Sequence, residues 1–224
     1  MPLRAAGVCG FLALVTSTLG WVVGGLAQPG AYSAADDDVS DLGALTASSA
    51  WVYNEIGANL TGLLVMALAL GVWRALSPDL LGRIGAGALF LVGLGVLSDG
   101  LLRLDCQGID RGCVNESWHA DAHKMESRFT VAAFFLAPLV LAFAFRRLPE
   151  WRSAWVPTLL ATPAVIVASG VLGAVGPGAA TRAGSVVWFL WVGLIGLRLL
   201  RVASGQHGDQ ATVTSSWRNR SSGT

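Results

Sequence analysis

A chain of 224 residues that is 54% hydrophobic and 13% charged, with a mean hydropathy of +0.60, lacks the polar surface that water requires; a soluble domain keeps about a quarter of its residues charged. Its net charge of +1, with no basic patch interleaved with aromatics, gives no basis for a nucleic-acid partner. The apolar runs are continuous rather than alternating, which excludes a membrane β-barrel and leaves membrane-spanning helices.

A hydrocarbon core about 30 Å thick needs roughly 20 apolar residues in helix. The first such run covers residues 5–27 and contains Cys9, expected to be a packed, inert thiol. It also admits a signal-peptide reading, with Arg4 as the basic start and Gly25-Leu26-Ala27 as the cleavage site. Its apolar stretch exceeds the usual core of about 7–15 residues, which favours an uncleaved helix. Residues 28–54 form an Ala/Ser/Asp-rich loop holding Asp36, Asp37, Asp38 and Asp41. The second run, 55–76, opens with Glu55 and Asn59 at i and i+4. A short turn at Ser77-Pro78-Asp79 makes it a hairpin with the third run, 84–104, which carries Asp99 and Arg103, again at i and i+4.

The loop at 105–122 is the most polar interior segment and contains Cys106 and Cys113. The fourth run, 123–145, is opened by the segment WHADAHKMES; in helix it sets His119, His123 and Glu126 on one face. A turn at Leu148-Pro149-Glu150-Trp151 leads to the fifth run, 155–175, and the sixth covers 183–203. Residues 204–224 are Ser/Thr/Gly/Gln-rich without apolar periodicity and read as a disordered tail. The expected architecture is all-α: a polytopic bundle of six transmembrane helices over 1–203, then the tail.

Basic residues set the orientation, because they stay in the cytoplasm. With the N-terminus inside, Arg4, Arg74, Arg83, Arg146, Arg147, Arg152, Arg198, Arg201, Arg218 and Arg220 are cytoplasmic. Arg103, Arg111, Lys124, Arg128 and Arg182 fall toward the outside. Both termini are therefore expected in the cytoplasm, with membrane lipid as the surrounding partner.

On the outer side, compartment and spacing predict a Cys106–Cys113 disulfide. The rival reading is a zinc site of Cys106, Cys113, His119 and His123, although its spacing does not match the usual short knuckle. Small residues recur at helical spacing: Gly20 and Gly24, Ala58 and Gly62, then Gly170, Gly173 and Gly176. Such faces serve either close packing within one bundle, the simpler reading, or a homo-oligomer.

Three polar groups converge at one depth of consecutive helices: Glu55 with Asn59, Asp99 with Arg103, and His119, His123 and Glu126. An ionised carboxylate inside an apolar run is costly unless paired, and is a functional suspect by default. The bland reading pairs Asp99 with Arg103 in its own helix and leaves the histidines at the wet interface. The functional reading is an outward-facing pocket, with His119 and His123 as candidate metal ligands. A lipid- or solute-binding membrane protein without a cofactor leads. A metal-dependent intramembrane hydrolase, with zinc on the histidines, is the alternative, and a small proton-coupled transporter using Asp99 the second.

VSDLGA at positions 39 to 44, the opening Asn54-Glu55, a histidine starting the helix after an Asp-rich loop, and Arg146-Arg147-Leu148 before Trp151 carry a resemblance. Over about residues 8–200 the chain resembles the bacterial membrane family of the domain of unknown function 998. That resemblance implies a six-helix bundle in the bacterial inner (plasma) membrane and no established activity. The paired cysteines and the second histidine lie outside the family's general pattern. The HxxxH spacing near aspartates also resembles intramembrane hydrolases related to alkaline ceramidases, which imply seven helices with histidines from more than one.

Overall fold

The computed structural model describes residues 1–221, with side chains through Gly205; the tail expected from 204 onward falls almost wholly outside the described side chains. Among the described residues, six helices are long and apolar enough to cross a membrane. They are α1 (Leu3–Leu26), a second span (Val52–Ala75) whose α-helical part is α2 (Thr61–Ala75), α3 (Leu80–Leu101), α4 (Trp118–Arg147), α5 (Arg152–Gly173) and α6 (Pro177–Ser221). The shortest has 22 residues, about 33 Å at 1.5 Å per residue, enough for the hydrocarbon. Each carries large apolar side chains on its outside, among them Phe11, Leu63, Leu91, Phe129, Val167 and Leu194. In water so much exposed apolar surface drives aggregation; in lipid it is solvated.

Local chemistry sets the helix starts. Asp79 caps α3 by accepting the Gly82 N–H at 2.7 Å, and Ser117 caps α4 by accepting that of Ala120 at 3.2 Å. The cap at Ser117 starts α4 ahead of the expected 123, so most of WHADAHKMES is helix rather than loop. Pro177 opens α6, where its missing N–H has no role to fill, six positions before the expected start. That earlier start draws Arg182 into the helix.

The helices close a ring in chain order, α6 returning to pack on α1. Leu68, Leu89, Leu141, Phe145, Trp151, Trp188, Ile195 and Leu199 fill its interior. Small residues let the backbones approach: a Cβ on Gly57 would lie 3.0 Å from the Gly20 Cα, and one on Gly62 would overlap the Gly93 backbone. Those two faces are thus used within the chain, whereas Gly170 has nothing within 4 Å of its Cβ position.

The two ends of the bundle differ. At one, arginines meet aromatics: Arg83 lies 4.9 Å from the Trp73 ring centroid and Arg146 5.3 Å from that of Trp155. At the other, the two long loops knit into a cap. The Leu45 N–H donates to the Leu104 carbonyl at 2.9 Å, and the Gly108 N–H to the Asp41 carboxylate at 3.1 Å. Gln28 reaches Ser48 through both ends of its amide, and Gln107 donates to it at 3.1 Å. Cys106 and Cys113 are disulfide-bonded, with Cα atoms 6.2 Å apart. Asn115 brackets Cys106, accepting from its N–H at 3.0 Å and donating to its carbonyl at 3.2 Å.

Arg182 holds the first loop down. It is buried, and one guanidinium nitrogen donates to the carbonyls of Ala34 and Asp37, each at 2.8 Å, and of Gly178 at 3.0 Å. The other donates to the Tyr32 hydroxyl. Burial pushes the Tyr32 phenol above its ordinary value, against the opposing pull of Arg182.

Candidate functional site

Beneath the loop cap the second span does not begin as an ordinary α-helix. Residues Val52–Leu60 are wound as π-helix, a wider turn with i→i+5 bonds that is common at functional sites. The Thr61 hydroxyl closes the segment by donating to the Ile56 carbonyl at 3.0 Å, and lies 2.7 Å from the Thr16 hydroxyl of α1. The widened turns present Tyr53, Gly57 and Ala58 to a cavity. Gly100 at the end of α3 has no Cβ to hold this segment away; a methyl there would sit 2.6 Å from the Asn54 carbonyl oxygen. The Tyr53 hydroxyl thereby reaches Asp99 of α3, donating to Oδ2 at 2.6 Å.

Across from Asp99 stands α4. His123 Nδ1 lies 2.9 Å from the Leu102 carbonyl oxygen and 3.5 Å from Asp99 Oδ1. A carbonyl only accepts, so Nδ1 carries the proton, and in the neutral ring Nε2 carries the lone pair. One turn earlier, His119 Nδ1 lies 2.7 Å from the Arg103 carbonyl oxygen, while its Nε2 is 3.6 Å from Asp105 Oδ1. The two histidines thus satisfy successive carbonyls just past the end of α3, which a helix terminus otherwise leaves open. One turn beyond His123, Glu126 accepts on Oε1 from the Thr130 hydroxyl, while its Oε2 is buried without a partner among the described residues. Asp99, His123 and Glu126 each offer a ligand atom within 4.8 Å of the others'.

These groups line a cavity of about 660 Å³ between the loop-end halves of the helices. Its polar wall holds Tyr53, Asp99, His123 and Glu126, and Phe134 and Phe189 line its apolar part. Phe134 stacks on Trp188, with centroids 4.4 Å apart, and the Trp188 indole donates to the Phe134 carbonyl at 3.0 Å. Arg128 also lines the cavity; its guanidinium donates to the Met125 sulfur at 3.8 Å and pairs with no carboxylate among the described residues.

The seven residues singled out by spacing fare differently. Asp99, His123 and Glu126 come together. Glu55 and Asn59 pair with each other at 3.0 Å but do not line the cavity, and Glu55 is exposed. The i, i+4 pairing of Asp99 with Arg103 does not form, because α3 ends at Leu101 and the chain turns away before Arg103. His119 serves the loop: it sits between Asp105 and the Arg103 carbonyl rather than in the three-residue cluster. The Cys₂His₂ arrangement fails because its two thiols are bonded to each other. Outside the spans, hydrogen bonds from Ser117 hold Asp105 below the usual carboxylate range. Burial raises Asp41 above it, with Asp38, Asp37 and Asp110 adding repulsion against the Gly108 N–H.

Spacing missed Tyr53, Arg128 and Arg182. Tyr53 precedes the Asn54-Glu55 pair directly and is one of two tyrosines in the chain. Arg182 was legible as a lone cation beside an apolar run. The model of a family described as "Protein of unknown function (DUF998)" matches residues 8–198, most of the chain. No curated protein and no protein of solved structure matches it.

Proposed function

We propose a function from the premise that the chain belongs to the DUF998 family: it binds an anionic lipid by its head group in the cavity at the loop end of the bundle. One observation carries the reading. Arg128, an exposed cation of membrane-crossing α4, borders the cavity with no carboxylate partner among the described residues. Charged side chains inside membrane spans are costly and mark sites by default. A phosphate or carboxylate head group satisfies such a guanidinium in a bidentate fashion. Phe134, Phe189 and Val131 extend the lining as apolar surface for the start of an acyl chain. The cavity's size lies in the range of about 300–1,000 Å³ found for small-ligand sites.

Sidedness follows from the arginine distribution. The turns between α2 and α3 and between α4 and α5 carry Arg74, Arg83, Arg146, Arg147 and Arg152, which belong in the cytoplasm. The cavity then opens into the outer leaflet of a plasma membrane, with both termini inside.

The test is native mass spectrometry of protein taken from nanodiscs of mixed phosphatidylglycerol and phosphatidylcholine. Wild type retains phosphatidylglycerol through detergent washing, and Arg128→Ala weakens retention by about tenfold, the loss of one charged hydrogen-bonded contact. Inorganic phosphate that displaced the lipid completely would identify a free anion as the ligand and overturn the lipid reading. Equal retention by wild type and Arg128→Ala would overturn the site.

A further inference from the structure

We infer that Asp99, His123 and Glu126 form a binding site for a single divalent metal ion, with zinc the best fit to one imidazole and two carboxylates. The inference stands apart from lipid binding, since it rests on how these three side chains are held.

Each is fixed through one atom and left with another. The Tyr53 hydroxyl donates to Asp99 Oδ2, leaving Oδ1 with only the longer 3.5 Å approach of His123 Nδ1. The Leu102 carbonyl holds His123 Nδ1–H, leaving the Nε2 lone pair. The Thr130 hydroxyl donates to Glu126 Oε1, leaving Oε2 buried with no hydrogen-bond partner among the described residues. That pattern is the outer shell of a metal centre: ligating histidines donate their second N–H to a carbonyl or carboxylate, and ligating carboxylates are themselves hydrogen-bonded. The backbone explains how Thr130 comes to be there. Gly95 of α3 faces it, and a methyl on Gly95 would overlap the Thr130 side chain.

Charge points the same way. Two carboxylates with ligand atoms within 4.8 Å of each other lie inside membrane-crossing helices, and no lysine or arginine forms an ion pair with either among the described residues. His123 is the one cationic candidate beside Asp99, and its N–H is already committed to the Leu102 carbonyl. A bound dication neutralises both acids and uses the remaining donor atoms. Three protein ligands leave a tetrahedral ion one position open to the cavity, the arrangement that distinguishes reactive zinc sites from closed structural ones. At that position the ion meets whatever occupies the cavity, either water or the oxygen of an anionic head group.

The assignment differs from a His119–His123 pair, because His119 Nδ1 caps the Arg103 carbonyl and its Nε2 faces Asp105. The test measures metal by plasma mass spectrometry on full-length protein, purified in lipid-free detergent through a tag that binds no metal and then dialysed against zinc. Wild type carries about one zinc per chain. Asp99→Asn, Glu126→Gln and His123→Asn each lower the content by about tenfold or more, as loss of a ligand should. His123→Asn retains an N–H for the Leu102 carbonyl, and monodisperse elution verifies that each variant is folded. His119→Ala and Arg128→Ala keep the metal, which separates this site from both the histidine pair and the lipid contact. Cobalt substitution provides a second reading: visible absorption bands in wild type that Glu126→Gln abolishes. Wild type with background metal after dialysis, or zinc retained in all three ligand variants, overturns the assignment. So does zinc lost equally from His119→Ala.

Discussion

Replacing Arg182 by Gln tests whether the loop cap is fastened where the geometry places its fastener. Three backbone carbonyls, those of Ala34, Asp37 and Gly178, and the Tyr32 hydroxyl all rely on one guanidinium. A hydrogen bond to a charged donor contributes about 1.5–3 kcal/mol, but carbonyls freed near the end of the bundle recover part of that from water. A glutamine amide at this position reaches one carbonyl at most. The net loss expected is about 2–4 kcal/mol, and it is local: the first loop opens before the helices separate. Hydrogen exchange followed by mass spectrometry in detergent is the assay. The Ala179 N–H, bonded to the Ala35 carbonyl at 2.9 Å, and the amides of residues 33–44 should exchange faster, while the buried halves of α2 and α3 keep their protection. Arg103→Gln is the control, since its side chain holds no partner among the described residues, and it should leave exchange unchanged. Unaltered protection in Arg182→Gln, or a loss spread evenly over all six helices, would refute the reasoning.

Reducing the cap's covalent link should be milder. Replacing both Cys106 and Cys113 by Ser frees a loop of sequence separation 7, and chain entropy sets the cost at about 2–3 kcal/mol. A lower thermal midpoint for the variant, matched by wild type under reductant, is expected; equal midpoints would count against a stabilising bridge. Asp41 gives a pH prediction of definite sign. Its carboxyl is raised above the usual range by burial, so the folded state binds the proton more tightly than the unfolded chain does. Its favourable contribution is complete below the unfolded value of about 4 and is lost as pH rises through the raised folded one. Asp41→Asn keeps an oxygen for the Gly108 N–H and removes the buried charge, so it should stabilise at pH 7 and lose that advantage on acidification below about 4. Thermal melts at both values check this, and a variant less stable at pH 7 than at low pH relative to wild type would contradict it.

The fold was legible because lipid imposes a simple rule. Continuous apolar length is sufficient to count spans, and each of the six runs became a helix. Start positions were less legible, as polar residues near helix ends read like loop until a cap such as Ser117 is recognised. Within the site, spacing correctly aligned His123 with Glu126, since that relation is internal to one helix. It failed for Asp99 and Arg103, which lie on either side of a helix end marked in the sequence only by Gly100. The π-helical turns were invisible for a different reason. Their winding follows from packing Gly57 on Gly20 and Asn54 beneath the end of α3, contacts between segments far apart in the chain. Tyr53 reaches the site only through that winding.

The two histidines show why a motif read by spacing alone is ambiguous. Both ring Nδ1 atoms do the same structural task, closing carbonyls that α3 leaves open as it ends. That task alone explains an HxxxH at the start of α4 and needs no ligand. The difference lies in what the opposite nitrogen meets. For His119 it is the Asp105 carboxylate in the loop, 3.6 Å away. For His123 no such partner stands on that side among the described residues, and Glu126 keeps an unpartnered oxygen nearby. A side chain held through one nitrogen, beside two carboxylates with ligand atoms within 4.8 Å, is already oriented for a cation. The helix end that required capping therefore also fixes the geometry of the candidate centre.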